Sequence, residues 1–282
     1  MTDCYVETNG IRLHYLEHGA GDQTLILTHG LTANAHSFDG LIQSGLADDL
    51  RVLSVDLRGR GDSDKPDTGY AMADHAADLL GMFDALGLDH VTLGGHSFGG
   101  LLTYFLAANH PDRVDRCILL DAPVEVHEGI LDQIQPSLDR LGKTLPSWEH
   151  YLDLIKSMPY YDGWWDPTIE AFYRADVQDN ANGTVQARSH PGHIRQAVEG
   201  TLEVDWPQLV PTIDQPTLFL RATDPFGPPG SSPIVPEDQG KATVERIRNS
   251  RLESIPGNHI TYLFGSSAPL VVAAIREFLE HA

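Results

Sequence analysis

Short apolar runs alternate with amphipathic stretches along the first part of the chain. Ile11–Glu17 alternates apolar and polar positions behind an Asn9-Gly10 turn signal, which predicts a strand entered from a hairpin. Thr24–Thr28 and Val52–Val55 read as short buried strands, ending at His29-Gly30 and at Asp56. From Met72 to Leu86, Met72, Ala76, Leu79, Leu80, Phe83 and Leu86 recur at spacings of three and four, the period of a helix buried on one face. Val91–Leu93 predicts a further strand, Gly100–Ala108 a helix, and Cys117–Leu120 a strand that stops at Asp121. Continuous apolar strands separated by helices predict an α/β fold, a mostly parallel sheet flanked by helices on both faces. Functional groups in such sheets gather beyond the carboxyl ends of the strands, where His29, Asp56, Ser97 and Asp121 stand.

The texture changes at Pro123. Up to Pro211 the pattern is amphipathic pieces broken by six prolines and rich in Trp and Tyr, which predicts a mostly helical cap inserted into the core. Strand texture resumes at Pro216–Leu220, followed by a Pro/Gly/Ser-rich loop over Pro225–Pro236, a helix over Pro236–Arg248, a last strand at Leu252–Ile255 and a closing helix over Leu270–Leu279. The expected organisation is a core of residues 1–122 and 212–282 with the cap over 123–211.

Composition narrows the function. Nineteen Lys and Arg against 40 Asp and Glu leave a formal net charge of −21, which argues against nucleic acid or an anionic membrane as partner. The two cysteines, Cys4 and Cys117, form no disulfide framework and no metal-ligand spacing. The first residues lack the basic and apolar regions of a signal peptide, and no run approaches a membrane span, so a cytoplasmic location is expected. The pattern calls for no cofactor and no metal. Oligomeric state is not legible.

The candidate chemistry centres on Gly95-His96-Ser97-Phe98-Gly99, a Gly-x-Ser-x-Gly pentapeptide between a predicted strand and a predicted helix. A sharp turn there holds Ser97 at an exposed apex, with the amides of the helix start facing any negative charge that develops. A serine hydroxyl needs a base, and the base needs a group to orient it. His259 follows the last predicted strand and is the candidate base. Asp224 follows the Pro216–Leu220 strand and gives the order Ser97, Asp224, His259; Asp121, at the end of an earlier strand, is the competing acid. His96 is expected to pack into the sheet. His190 and His193, three residues apart, are expected to be solvated or to line a substrate rather than to bind metal.

On these motifs the chain resembles the α/β-hydrolase superfamily over nearly its whole length. His29-Gly30-Leu31-Thr32 is similar to the family's His-Gly motif, and by that match the backbone amides of Leu31 and Phe98 would form the oxyanion hole. Asp56–Asp64 resembles the family's Asp-x-Arg-Gly-x-Gly-x-Ser stretch and is read as a structural turn. The loop after Asp224 is longer than the family's usual connection, and the histidine stands in Gly-Asn-His rather than the more frequent Gly-His. A serine at the elbow points away from the haloalkane dehalogenase and epoxide hydrolase branches, which use aspartate there. The resemblance implies a serine hydrolase acting through an acyl-enzyme. A small-molecule carboxylic ester with an apolar or aromatic acyl group is the expected substrate, with a lactone or a vinylogous diketone cleaved at carbon–carbon as alternatives. A small-ligand receptor on the same fold is the non-enzymatic alternative.

Overall fold

The computed structural model describes residues 1–125 and 130–281. Its first strands, β1 (Thr2–Thr8) and β2 (Ile11–His18), pair antiparallel around Asn9 and Gly10, whose φ angles of 45° and 75° fit the two-residue hairpin that this dipeptide favours. The α/β pattern follows: β3 (Gln23–Thr28), α1 (Asp39–Gln43), β4 (Leu50–Val55), α2 (Met72–Ala85), β5 (Val91–His96), α3 (Phe98–Asn109) and β6 (Val114–Leu120).

The segment between β6 and the next core strand holds α4 (Ile130–Asp139), β7 (Thr144–Leu145), α5 (Trp148–Lys156), α6 (Pro167–Ala175), β8 (Val177–Asp179), β9 (Val185–Ala187), α7 (Pro191–Leu202) and α8 (Trp206–Leu209). Residues 126–129 of the predicted cap lie outside the described residues. The segment is helical as expected, but it also carries a small antiparallel sheet in the order β7-β9-β8. Strands of two or three residues are too short to print an alternating pattern, which is why the sequence conceals them. The core resumes with β10 (Thr217–Ala222), α9 (Glu237–Val244), β11 (Ser250–Ile255) and α10 (Ala268–His281).

Eight strands form one sheet in the order β1-β2-β4-β3-β5-β6-β10-β11. All neighbours beyond the β2–β4 pair are parallel. The central strands are buried along their length, and residues such as Leu25, Leu53, Leu93, Ile118 and Phe219 pack against α2, α3 and α10 in one continuous core. Burial on both faces explains the uninterrupted apolar runs. β5 and β6 lie side by side near the centre, so their carboxyl ends open onto the same space.

Candidate active site

The pentapeptide forms the turn that the sequence predicts. Ser97 has φ 54° and ψ −115°, a conformation rare for a residue with a side chain, and it sits between the end of β5 and the start of α3. Close packing leaves no alternative at the flanking glycines. A Cβ on Gly95 would lie 2.0 Å from the Gly99 carbonyl oxygen, and one on Gly99 would lie 2.1 Å from that of Thr28. The Ser97 amide donates to the Leu120 carbonyl oxygen at 2.9 Å, tying the turn to the end of β6.

His259 donates from Nδ1 to the Asp121 carboxylate at 2.7 Å. That bond fixes the tautomer and leaves Nε2 as the acceptor nitrogen. Asp121 is fully buried and has φ 46°; its other oxygen accepts the Ala222 amide at 3.0 Å, and its own amide donates to the Leu220 carbonyl oxygen at 2.8 Å. Asp224, the acid expected from chain order, is not there. Its side chain is exposed and accepts from the Thr223 hydroxyl at 2.9 Å, while its amide donates to the Gly257 carbonyl oxygen. In the long loop that follows, Phe226 is buried, comes edge-on to the His259 ring at 5.3 Å and stacks on Tyr160 at 4.3 Å. The competing acid, Asp121, holds the histidine instead.

Ser97 and His259 line one cavity of about 160 Å³. Its floor includes Gly30, Leu31 and His96; its upper wall comes from the segment between β6 and β10, through Ile134, Ser137, Leu138, Arg140, Phe172 and Tyr173. The Leu31 stretch is braced from below. His29 accepts the Leu57 amide at Nε2 (3.1 Å) and donates from Nδ1 to the Gly30 carbonyl oxygen (2.8 Å); burial pulls its pKa down to about 4 and keeps the ring neutral. Arg60, fully buried, donates from Nε to the Leu31 carbonyl oxygen at 3.0 Å. Phe98 is the first residue of α3, where first-turn amides have no intrahelical acceptor.

The Asp56–Asp64 run is a structural turn. Asp56 accepts the Ala35 and Asp62 amides at 2.7 and 2.9 Å and the His14 Nδ1 proton at 2.7 Å. Burial pushes its pKa up, but the His14 bond and the nearby His29 outweigh this and hold it at about 2. His14, Asp56 and Asp62 stand close enough to hold a metal. Both Asp56 oxygens are already occupied, however, and Asp62 pairs with Arg188 at 2.5 Å.

One histidine expectation needs correction. His96 is buried, as expected, but it is not a passive core residue: it lines the cavity, and Nε2 donates to the His259 carbonyl oxygen at 2.8 Å. The residue beside the candidate nucleophile therefore positions the loop that carries the candidate base. Burial, with His259 close by, keeps the His96 pKa well below its ordinary value. His190 is exposed, in line with the solvated alternative, and neither it nor His193 lines the cavity. The first caps α7 by accepting the Gly192 amide at 3.1 Å, and the second stacks on Tyr70 at 4.8 Å. Sequence reasoning missed Phe226 and Arg140. Each is one residue in a proline-broken stretch with no motif around it, and no sequence signal singled it out.

A family model described as the alpha/beta hydrolase fold matches residues 23–266. The chain belongs to that family. It is 31% identical over 220 residues to N-formylmaleamate deformylase of Pseudomonas putida, covering 77% of this chain and 76% of that protein. It is 33% identical over 150 residues to 2-(acetamidomethylene)succinate hydrolase of Mesorhizobium japonicum, covering 52% of this chain and 53% of the relative, so the match spans about half the length of each. In structure it is similar to crystalline E-2-(acetamidomethylene)succinate hydrolase, with a TM-score of 0.85 over 99% of both chains at 23% sequence identity, a likeness of fold. This member of the alpha/beta hydrolase family has a mostly parallel sheet with flanking helices. Among the described residues, no helix is long and apolar enough to cross a membrane.

Proposed function

We propose that this alpha/beta hydrolase is a serine hydrolase that cleaves a small carboxylic acid derivative through an acyl-enzyme. The observation that carries the reading is the buried His259–Asp121 bond at 2.7 Å beside a cavity shared by Ser97 and His259. Asp121 orients the imidazole so that Nε2 takes the Ser97 proton as Oγ attacks the acyl carbon. The amides of Leu31 and Phe98 are the candidate donors to the oxyanion of the tetrahedral intermediate, each worth about 3 kcal/mol of barrier. The leaving group departs with the proton held by His259, and water activated by the same nitrogen then releases the acid and frees Ser97.

An apolar wall that includes Ile134, Leu138, Phe172, Leu263 and Phe264 suits the apolar part of a small ester. A second reading takes an amide as the scissile group. It is favoured by the names of two relatives, one a deformylase of N-formylmaleamate and the other a hydrolase of 2-(acetamidomethylene)succinate.

The test is a pre-steady-state burst with 4-nitrophenyl acetate and mass spectrometry of the trapped protein. One acetyl group on Ser97 is expected, and Ser97→Ala should lower turnover by about 10⁴-fold or more. Failure to acylate Ser97 with any short ester or amide would favour the receptor alternative. Comparing ethyl acetate with N-methylacetamide separates the two scissile groups.

A further inference from the structure

Apolar and hydroxyl-bearing side chains make up most of the wall of the Ser97 cavity. Arg140 breaks that pattern. It directly follows α4 and, among the described residues, is the one lining side chain that carries a formal charge outside the histidines. That charge is positive in a chain of net charge −21.

The hydrogen bonds of Arg140 are incomplete. Its Nη2 donates to the Thr32 carbonyl oxygen at 2.8 Å and faces the Asp176 carboxylate at 3.2 Å. Among the described residues, Nε and both protons of Nη1 find no acceptor, although Arg140 is only 3% exposed. Asp176 is itself shared, since the same oxygen accepts the Tyr151 hydroxyl proton at 2.8 Å, while its other oxygen, also buried, has no partner among the described residues. Burial pulls the guanidinium pKa down, but Asp176, Tyr151 and Tyr173 more than offset it, and the group stays cationic. A buried cation with three idle donors is costly unless an acceptor arrives. Arg60 gives the contrast: both guanidinium groups lie near aromatic rings and both have an idle nitrogen, but Arg60 stands outside the cavity wall and Arg140 lines it.

We propose that Arg140 anchors a carboxylate of the substrate, so that the enzyme acts on small acyl compounds that carry a free carboxylate besides the scissile group. This rests on the serine-hydrolase reading above and narrows its substrate. A guanidinium matches a carboxylate in shape and charge, and its stem can turn the idle donors toward the cavity. Ser137, three residues earlier on α4, lines the same wall, its hydroxyl bonded to that of Tyr160 at 3.0 Å, which leaves the guanidinium as the donor for a carboxylate there. A single cation already half-countered by Asp176 suits one carboxylate better than a dianionic phosphate.

Because Arg140 also holds the Thr32 carbonyl oxygen, beside Leu31, its removal disturbs turnover of every substrate, and the readout must be discrimination. Monoethyl succinate and ethyl butanoate differ in a terminal carboxylate against a methyl. The wild-type enzyme should favour the carboxylate ester in kcat/KM by about 10- to 100-fold. Arg140→Gln should bring that ratio close to one, and Arg140→Lys should keep part of it. Succinate, but not butanamide, should compete with 4-nitrophenyl acetate for the wild-type enzyme. The inference is overturned if wild type prefers ethyl butanoate or shows no preference, or if a folded Arg140→Gln slows both esters equally. Should Arg140→Gln fail to fold, the wild-type ratio and the succinate competition decide it. Turnover of 4-nitrophenyl acetate without a carboxylate preference removes the Arg140 role alone, whereas no acylation of Ser97 by any of these esters removes the hydrolase reading with it.

Discussion

At the scale of single residues, the assignment turns on which carboxylate meets His259. Asp121→Asn should lower kcat by about 10⁴-fold, because an amide at that position no longer fixes the tautomer with Nε2 free. Asp224→Asn, at an exposed side chain, should stay within about twofold of wild type. Steady-state kinetics on one ester measures both, and the reverse ranking would return the acid to Asp224. Gly95→Ala should fail to give folded protein, since the added carbon would lie 2.0 Å from a backbone oxygen. Ser97 and His259 were legible in the sequence because each stands in a strand-end motif whose chemistry restricts the residue type. Both candidate acids also stood at strand ends. The choice between them rests on which carboxylate reaches the His259 ring, a contact across 138 residues with no local sequence signature.

At the scale of elements, the adjacency of β5 and β6 brings the candidate nucleophile and acid together. The two strands are hydrogen-bonded neighbours in parallel register, and His96 at the end of one pairs with Leu120 at the end of the other. Alternating apolar runs predicted the strands but not their lateral order, which is set by crossovers and packing. The segment between β6 and β10 was legible as an amphipathic, aromatic interruption; its three short strands were not. One of its joints to the core is tight. Gly200 on α7 packs against the start of α2, where an added Cβ would lie 2.8 Å from the Ala71 Cα. Gly200→Val should therefore push α7 off α2 and cost about 1–3 kcal/mol of stability by overpacking. Urea unfolding measures the loss, and an unchanged midpoint would show that the joint yields without cost.

At the scale of the whole molecule, buried histidines make stability depend on acid. His29, with a pKa of about 4, and His75 and His96, both well below their ordinary value, are neutral when folded because burial disfavours the charged ring. Once unfolded, each titrates near 6.5, so between that value and the folded pKa the unfolded chain binds more protons. Stability is thus full above about pH 6.5 and falls as pH drops toward 4, by about 3 kcal/mol for His29 alone. His14 and His36, whose pKa values are raised by Asp56 and Asp39 against the opposing effect of burial, work the other way but are fewer. Asp56 adds to the acid loss as pH falls from 3.8 toward about 2. The urea midpoint should drop between about pH 7.5 and 5, and a flat profile would mean these rings accept protons in place. The net charge of −21 predicts a second effect: adding salt to about 0.3 M should raise the melting temperature by screening self-repulsion.

The position of Asp121 bears on how such an enzyme can change over generations. Leu31, Ser97, Phe98 and Asp121 all precede the segment that walls the cavity, and only His259 follows it. Lineages can therefore exchange or rebuild residues 123–211, and with them Ser137, Arg140 and Tyr173, while the candidate reactive groups stay on a sheet that the exchange leaves in place. On the proposed function, selectivity and reactivity become separately heritable, so diversification toward new acyl compounds should accumulate in the insert while the proposed chemistry at Ser97 is retained.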